Sequence, residues 1–153
     1  VAIAGPLTVA HKGLTAALYA RDQMIGAYLA QDVIEYVKNY RDNNKNNGRQ
    51  WLTGLDACLP SGGGRCVVDT LPGVSGISGC LSVSCSQLYL DESRGGYTHV
   101  NGGILSPFTR SVVITPATST PNTEAKIAVT VSWKNGTVAN NVVIENQLFD
   151  TFR

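Results

Sequence analysis

The chain has 153 residues, which is enough for one domain with a single hydrophobic core. Its 12 basic and 11 acidic residues nearly cancel, which argues against a nucleic-acid-binding protein, because such a protein presents a clustered basic face. Charged residues make up 15% of the chain, below the usual share of roughly 25%, and Gly, Ser, Thr and Asn take their place. Surfaces of this kind are common among secreted and surface-displayed proteins.

The first ten residues, Val1–Ala10, form an apolar stretch that contains Gly5 and Pro6. The stretch is too short to span a bilayer, which takes about 20 apolar residues, and it lacks the positively charged start of a signal peptide. Its beginning, Val-Ala-Ile-Ala, is typical of the end of a longer apolar helix, so we expect the sequence to be a piece of a longer or processed protein. Pro6 either breaks or kinks a helix here or is the first residue of one, and both alternatives stay open.

A single long helix is predicted from Leu7 to about Asn43. Apolar residues recur along one face at spacings of three, four and seven: Leu14, Leu18, Ile25, Leu29, Val33, Tyr36 and Tyr40. A second stripe is predicted to widen this face: Ala17, Met24, Tyr28 and Val37. At 1.5 Å per residue the helix would be roughly 50 Å long, more than a domain of this size needs to cover its own sheet. We therefore expect its C-terminal half to pack on a β-rich domain and its N-terminal half, which is rich in Ala and Gly, to pack on other molecules.

Four cysteines lie close together after the helix: Cys58, Cys66, Cys80 and Cys85. An even number of cysteines in a loop-rich region predicts two disulfides and an oxidising compartment. A metal site is the alternative, but there is no C-x2-C pair, and both histidines, His11 and His99, are distant in the sequence. Four cysteines allow three pairings, of which Cys58–Cys66 and Cys80–Cys85 are favoured because each closes a short loop rich in turn-forming residues.

The region between the helix and Gly103 is predicted to be irregular. Trp51 and Leu55 are expected to anchor the connecting loop to the core. Short strands are predicted at three places in an otherwise turn-rich segment: residues 65–69, 88–91 and 97–100.

The C-terminal third has the clearest strand pattern. Residues 108–115 are β-branched and alternate, and in residues 126–133 the apolar side chains of Ile127, Val129, Val131 and Trp133 share one face. Asn135-Gly136 predicts a hairpin turn to a partner strand at 138–149; the same residues with Thr137 match a glycosylation sequon, but the turn explains them sufficiently. Three antiparallel strands with one apolar face need a cover, which the C-terminal half of the helix can supply.

Catalytic motifs are poorly supported by the sequence. There is no G-x-S-x-G nucleophile turn, and His99 lies in a Tyr-Thr-His-Val strand, where we interpret it as a surface or packing residue. Asp91-Glu92 could bind a cation, but two adjacent acids in a turn are usually only solvated. We therefore predict no enzymatic activity, cofactor, metal or small-molecule substrate.

Three segments carry a family resemblance. Residues 20–44 resemble the helix of type IV prepilin-like proteins, especially the minor pilins and pseudopilins. The strand 126–133 with its Val-Ser-Trp ending, the following hairpin and the closing Gln147-Leu-Phe-Asp150 resemble the C-terminal strand pair of these proteins. The segment Trp51-Leu-Thr-Gly-Leu55, followed by cysteines, also fits such chains. The family's Gly-Phe cleavage site, with a Glu shortly after it, does not occur in this sequence.

The resemblance implies a pilin-like α+β fold, with a long N-terminal helix packed on a small antiparallel β-sheet with disulfide-closed loops. Residues 1–46 would form the helix, with residues 1–20 as its assembly half, and residues 47–153 a β-rich globular headgroup. The implied function is that of a structural subunit of a type IV pilus or type II secretion pseudopilus. Its partners would be other pilin or pseudopilin subunits, after an inner-membrane stage, and its location the bacterial cell surface.

Assembly is expected to depend on seven apolar residues of the first half of the helix: Val1, Ile3, Pro6, Leu7, Val9, Leu14 and Leu18. The alternative function is a filament-tip adhesin or binding module that contacts a surface through the loops at 73–103.

Overall fold

The structure, a computed structural model, describes residues 4–74, 76–117 and 123–150, with side chains from Val9 onward. A helix, α1 (Ala4–Asn46, 43 residues), packs on an antiparallel sheet of seven strands. The predicted α+β class, with a long N-terminal helix on an antiparallel sheet, is therefore confirmed. The helix extends about three residues further at each end than predicted, and its helical span includes Gly5 and Pro6.

The seven strands are short in the middle of the chain and long at its end. In chain order they are β1 (Cys66–Asp69), β2 (Gly76–Gly79), β3 (Gln87–Asp91), β4 (Gly96–Thr98), β5 (Ile104–Pro116), β6 (Glu124–Asn135) and β7 (Val138–Phe149). The long strand β5 is central: it pairs with β6 on one side, and with β1 and β3 on the other. Three short 3-10 helices lie beside the cysteines, at Asp56–Cys58, Pro60–Gly62 and Ser84–Ser86.

The core lies between α1 and the three C-terminal strands. The alternation predicted for β6 is confirmed, because Ile127, Val129, Val131 and Trp133 are all buried. The helix buries residues from its C-terminal half against them, among which are Leu29, Val33, Ile34 and Val37. Trp51 and Leu55 are also buried and hold the loop after the helix against this core, as predicted.

Gly26 marks a close approach of the helix to the sheet. A Cβ atom added at this position would lie 3.0 Å from Cζ3 of Trp133 and 3.1 Å from Cγ1 of Val142. These distances are tight, so the absence of a side chain at Gly26 allows the helix to pack against β6 and β7 at this point.

The prediction that Met24 and Tyr28 widen the sheet-facing side of the helix is wrong. Both side chains are mostly exposed, whereas Val37, predicted for the same stripe, is fully buried. The reason is geometric: at 100° per residue, Val37 is turned by about 140° from Met24 around the helix, so the two residues cannot share one face. Met24 and Tyr28 instead extend the apolar surface that faces solvent.

The two predicted disulfides are present, and their pairing is the one favoured from the sequence: Cys58–Cys66 and Cys80–Cys85. The first is buried and joins the loop after α1 to β1. The second closes a more exposed loop between β2 and β3. A hydrogen bond from the Cys80 amide to the Arg65 carbonyl (2.9 Å) ties this loop to the chain next to the first disulfide. The strand β2 itself was not predicted, because Gly76–Gly79 has a weak strand pattern and is ordered by its pairing with β1.

Candidate assembly surface on the N-terminal helix

The N-terminal half of α1 extends beyond the sheet. All side chains from Val9 to Arg21 are exposed, and burial begins at Asp22. The helix is about 64 Å long at 1.5 Å per residue, and among its residues from Val9 onward the headgroup buries side chains only from Asp22. The N-terminal half is therefore available for contact with other molecules.

Asp22 forms the boundary between the covered and the exposed half of the helix. Its carboxylate is buried and accepts two hydrogen bonds from the Arg21 guanidinium, at 3.0 and 2.8 Å. The side-chain amide of Asn135, in the orientation that satisfies its hydrogen bonds, donates to the same carboxylate at 3.1 Å. Asn135 ends β6, so the tip of the β6–β7 hairpin is fixed to the helix at the level where the sheet ends.

The exposed half carries large apolar side chains. Val9, Leu14 and Leu18 are 72%, 62% and 42% exposed, and Tyr19 is similarly accessible. Between them stand small residues, and a Cβ atom placed on Gly13 would meet nothing within 4 Å. A helix surface of large apolar and small residues can bury much of its area against another helix and permits close backbone approach.

The structure describes only part of the predicted assembly set. Val1 and Ile3 lie outside the described residues, and the side chains of Pro6 and Leu7 are not described although both residues belong to α1. The remaining three, Val9, Leu14 and Leu18, are on the exposed half. Sequence reasoning missed Met24 and Tyr28 as members of the exposed surface, because their four-residue spacing shows a shared helix face but not which face the sheet covers.

A shallow groove of about 470 Å³ lies between the exposed half of α1 and the β6–β7 hairpin. Lys12, Thr15, Ala16 and Tyr19 line it from the helix, and Asn135, Val138 and Asn140 line it from the hairpin. The groove opens where the helix leaves the sheet and continues the exposed helical surface. In the part of the chain that the structure describes, no helix combines the length and apolar character required to cross a membrane.

The polar groups of the headgroup interior centre on Arg110, which is 1% exposed. Its guanidinium donates to the carbonyls of Leu29 (3.1 Å) and Val68 (2.8 Å), and it lies 3.8 Å from the Asp32 carboxylate. Burial lowers the pKa of Arg110 to about 10, so the group stays charged at neutral pH. Its donors join the helix to the sheet. The sequence signal for this anchor was an arginine at a core-facing position of β5, in the alternating row whose apolar members are Phe108, Val112 and Ile114.

His99 lies beside this cluster. Its backbone amide donates to Asp69 (2.7 Å) and its Nδ1 lies 3.1 Å from the Gln87 carbonyl, so the residue packs β4 against β1 and β3. Burial, together with the positive charge of Arg110, lowers the pKa of His99 to about 4. This environment fits the predicted packing role.

The low pKa of His99 predicts a loss of stability in mild acid. A histidine in the unfolded chain titrates near 6.5, so below that pH the unfolded state binds more protons, and stability falls until pH passes the folded value of about 4. We expect the free energy of unfolding to drop by about 2 kcal/mol between pH 7 and 4.5 on account of His99. Urea unfolding of the wild type and of His99→Asn at both pH values measures the difference.

A pH dependence equally steep in His99→Asn would contradict this assignment. Asp91 does not interfere, because hydrogen bonds from Ser93 and Arg94 lower its pKa to about 2, so its contribution is lost only under stronger acid. The other histidine, His11, is on the exposed part of the helix.

The Asp91-Glu92 turn has its own partners. The Asp91 carboxylate accepts hydrogen bonds from the Ser93 hydroxyl, the Arg94 amide and the Arg94 guanidinium. Across residues 4–74, 76–117 and 123–150, no group of three His, Cys, Asp or Glu side chains is placed to hold a metal ion. The cysteine sulfurs, the alternative metal ligands considered from the sequence, are bonded to each other.

No protein-family model matches the chain, and neither a curated protein nor a solved structure is significantly similar to it.

Proposed function

We propose that this chain is a non-catalytic structural subunit of a type IV pilus or type II secretion pseudopilus, and that its α+β arrangement is a pilin-like fold. The observation that carries the proposal is the uninterrupted exposure of α1 from Val9 to Arg21, an apolar stretch of helix that its own headgroup does not bury. In the assembled state this half packs against the same half of neighbouring subunits.

The energetics favour such a packing. Fully burying an exposed Leu or Val side chain stabilises an interface by about 1.5–3 kcal/mol. Most of the surface of Val9 and Leu14, and part of that of Leu18, is available for burial. Ala and Gly between them allow helix axes to approach closely, which increases dispersion contacts. Repeated along a bundle of helices, these contributions add over many subunits.

The headgroup supports a structural role outside the cytoplasm. Its two disulfides suit an oxidising compartment, and the groups that could do chemistry in its interior, Arg110 and His99, are used to join secondary-structure elements. The proposed location is the bacterial cell surface, after an inner-membrane stage before assembly. The proposed partners are other pilin or pseudopilin subunits.

A filament-tip adhesin is the second candidate function, and one observation favours it. Leu81 and Val83 are 83% and 72% exposed on the loop that the Cys80–Cys85 disulfide closes. Large apolar side chains on a short covalently closed loop form a preorganised contact point for another surface. The region 73–103 is not loop alone, however, because it contains the strands β2, β3 and β4.

Deletion of the gene in the native bacterium separates the two functions. A structural subunit predicts that filaments or the secreted proteins are lost, and that the wild-type gene restores them. Normal filaments and secretion with lost attachment to surfaces would support the adhesin and contradict the structural role. Normal filaments, secretion and attachment would contradict both functions.

A further inference from the structure

β7 is an edge strand with little protection against pairing. Among the described residues it pairs with β6 alone, in a register unbroken from Asn135↔Val138 to Glu124↔Phe149. Natural edge strands are usually blunted by Pro, by Lys or by a bulge. β7 has neither Pro nor Lys, and its one acidic side chain, Glu145, already pairs with Lys126 at 3.0 Å.

The hydrogen bonds of the flanking residues show which groups of β7 face the free edge. The Glu124 carbonyl accepts from the amide of Ala117, so the backbone of Glu124 points toward β5 and away from its β7 partner, Phe149. The amide of Asp150, one residue later, donates to the Thr123 carbonyl at 2.8 Å. Because these directions alternate along an antiparallel pair, the odd-numbered residues from Ala139 to Phe149 point their N–H and C=O groups outward.

We propose that β7 pairs antiparallel with β7 of a second copy of this chain, with Val143 opposite Val143 on the two-fold axis. The sequence of β7 is self-complementary in this register. On the face toward the helix, Val142 of one copy meets Ile144 of the other and Asn140 meets Asn146. On the outer face, the two Val143 side chains, each 50% exposed, cover one another.

Charge also fits this register. Glu145 of one copy stands opposite Asn141 of the other, so the two carboxylates do not face each other. At the two ends of the pairing, Val138 of one copy is aligned with Leu148 of the other, whose side chain lies in its own core, so no polar side chain is placed opposite Val138. A two-fold pair of this kind is isologous, because each copy contributes the same surface.

The neighbouring registers do not match. With Val142 on the axis, Asn140 would face Ile144 and Val138 would face Asn146. With Ile144 on the axis, Val142 would face Asn146 and Asn140 would face Leu148. In both shifted registers, amide side chains stand opposite apolar ones on the helix-facing side, so the register centred on Val143 is the one that the side chains specify.

The pairing does not depend on the proposed function. The local two-fold axis of an antiparallel strand pair is normal to the sheet, so the two α1 helices would run in opposite directions. Subunits whose helices run the same way in a filament could not pair in this manner with their neighbours. The β7 pair is therefore a state of the free subunit, and assembly would compete with it.

A charge-reversal experiment at Val143 tests the register. It uses the full chain with Leu14→Glu and Leu18→Glu, so that the helix does not contribute to association, and it measures dimerisation by sedimentation velocity. We expect Val143→Lys and Val143→Glu each to raise the dissociation constant by at least about tenfold, because like charges then meet across the axis. An equimolar mixture of the two should restore the dimer, and Val143→Thr, the uncharged control, should retain it.

Three results would overturn the proposal. The parent protein could be monomeric up to about 100 µM, a concentration at which mass action would populate a specific dimer. The dimer could survive both charged substitutions, or the mixture could stay monomeric although circular dichroism shows every variant folded. None of these results bears on the filament, because the helix surface has been disabled in all the proteins compared.

Discussion

Replacing both Leu14 and Leu18 by glutamate is expected to abolish assembly while leaving the subunit folded. In the single chain Leu14 is 62% and Leu18 is 42% exposed, and neither belongs to the core, so the free energy of unfolding should change by less than about 1 kcal/mol. In a helix bundle the same positions would bury two unpaired carboxylates and lose two apolar contacts, at a cost of several kcal/mol per subunit. Filament yield from the native bacterium should fall at least about a hundredfold, a change that corresponds to only about 2.8 kcal/mol.

The matched control carries the same kind of change on a different surface of the molecule. Leu81→Glu with Val83→Glu also places two carboxylates at exposed apolar positions, but on the Cys80–Cys85 loop. It should leave the yield of filaments unchanged. Normal filaments from the Leu14/Leu18 variant, or an equal loss from the loop variant, would contradict the assignment of the helix as the assembly surface.

Arg110→Ala is expected to destabilise the headgroup by about 3–5 kcal/mol. The substitution removes the hydrogen bonds to the carbonyls of Leu29 and Val68, which hold α1 and β1 to β5. It also leaves Asp32 and the buried Asp69 without the positive charge that they face. Chemical unfolding followed by tryptophan fluorescence measures the change, since Trp51 and Trp133 are both buried in the core.

Arg110→Met distinguishes the contribution of the Arg110 charge to stability from that of its side-chain volume. Methionine fills much of the same space without a charge or a donor, so this variant avoids most of the cavity left by alanine. We expect Arg110→Met to lower the free energy of unfolding by about half as much as Arg110→Ala, because the packing is largely kept while the carboxylates stay uncompensated. Equal stability of the wild type and the alanine variant would show that Arg110 is not the residue that joins the helix to the sheet.

The sequence predicted those elements that carry strong periodic patterns. The helix was found because apolar spacing continues over many turns, and β6 because residues 126–133 alternate strictly. The partner strand β7 was found because Asn135-Gly136 predicts a hairpin turn. The disulfide pairing followed from short loops rich in turn-forming residues. In each case the pattern lies within one segment of the sequence, so that segment alone was sufficient to predict the element or the pairing.

The features that the sequence did not predict depend on how the elements pair and pack, not on a pattern within one segment. The strand β2 is ordered by pairing with β1, which its own residues do not indicate. The exposure of Met24 and Tyr28 depends on where the sheet lies around the helix. The role of Arg110 depends on carbonyls 81 and 42 residues away. An isolated polar residue in an apolar alternation is a signal of such an anchor, but it does not identify the partner.

Thiol cross-linking in the native assembly tests the central claim most directly. The four native cysteines are bonded in two disulfides, so a bismaleimide should react only with a cysteine introduced at Leu14, or at the exposed turn residue Glu92 as the control. If residues 9–21 pack against sister subunits, Leu14→Cys should give a ladder of cross-linked multimers and Glu92→Cys should stay monomeric. A monomeric Leu14→Cys in intact filaments that contain this subunit would contradict the account.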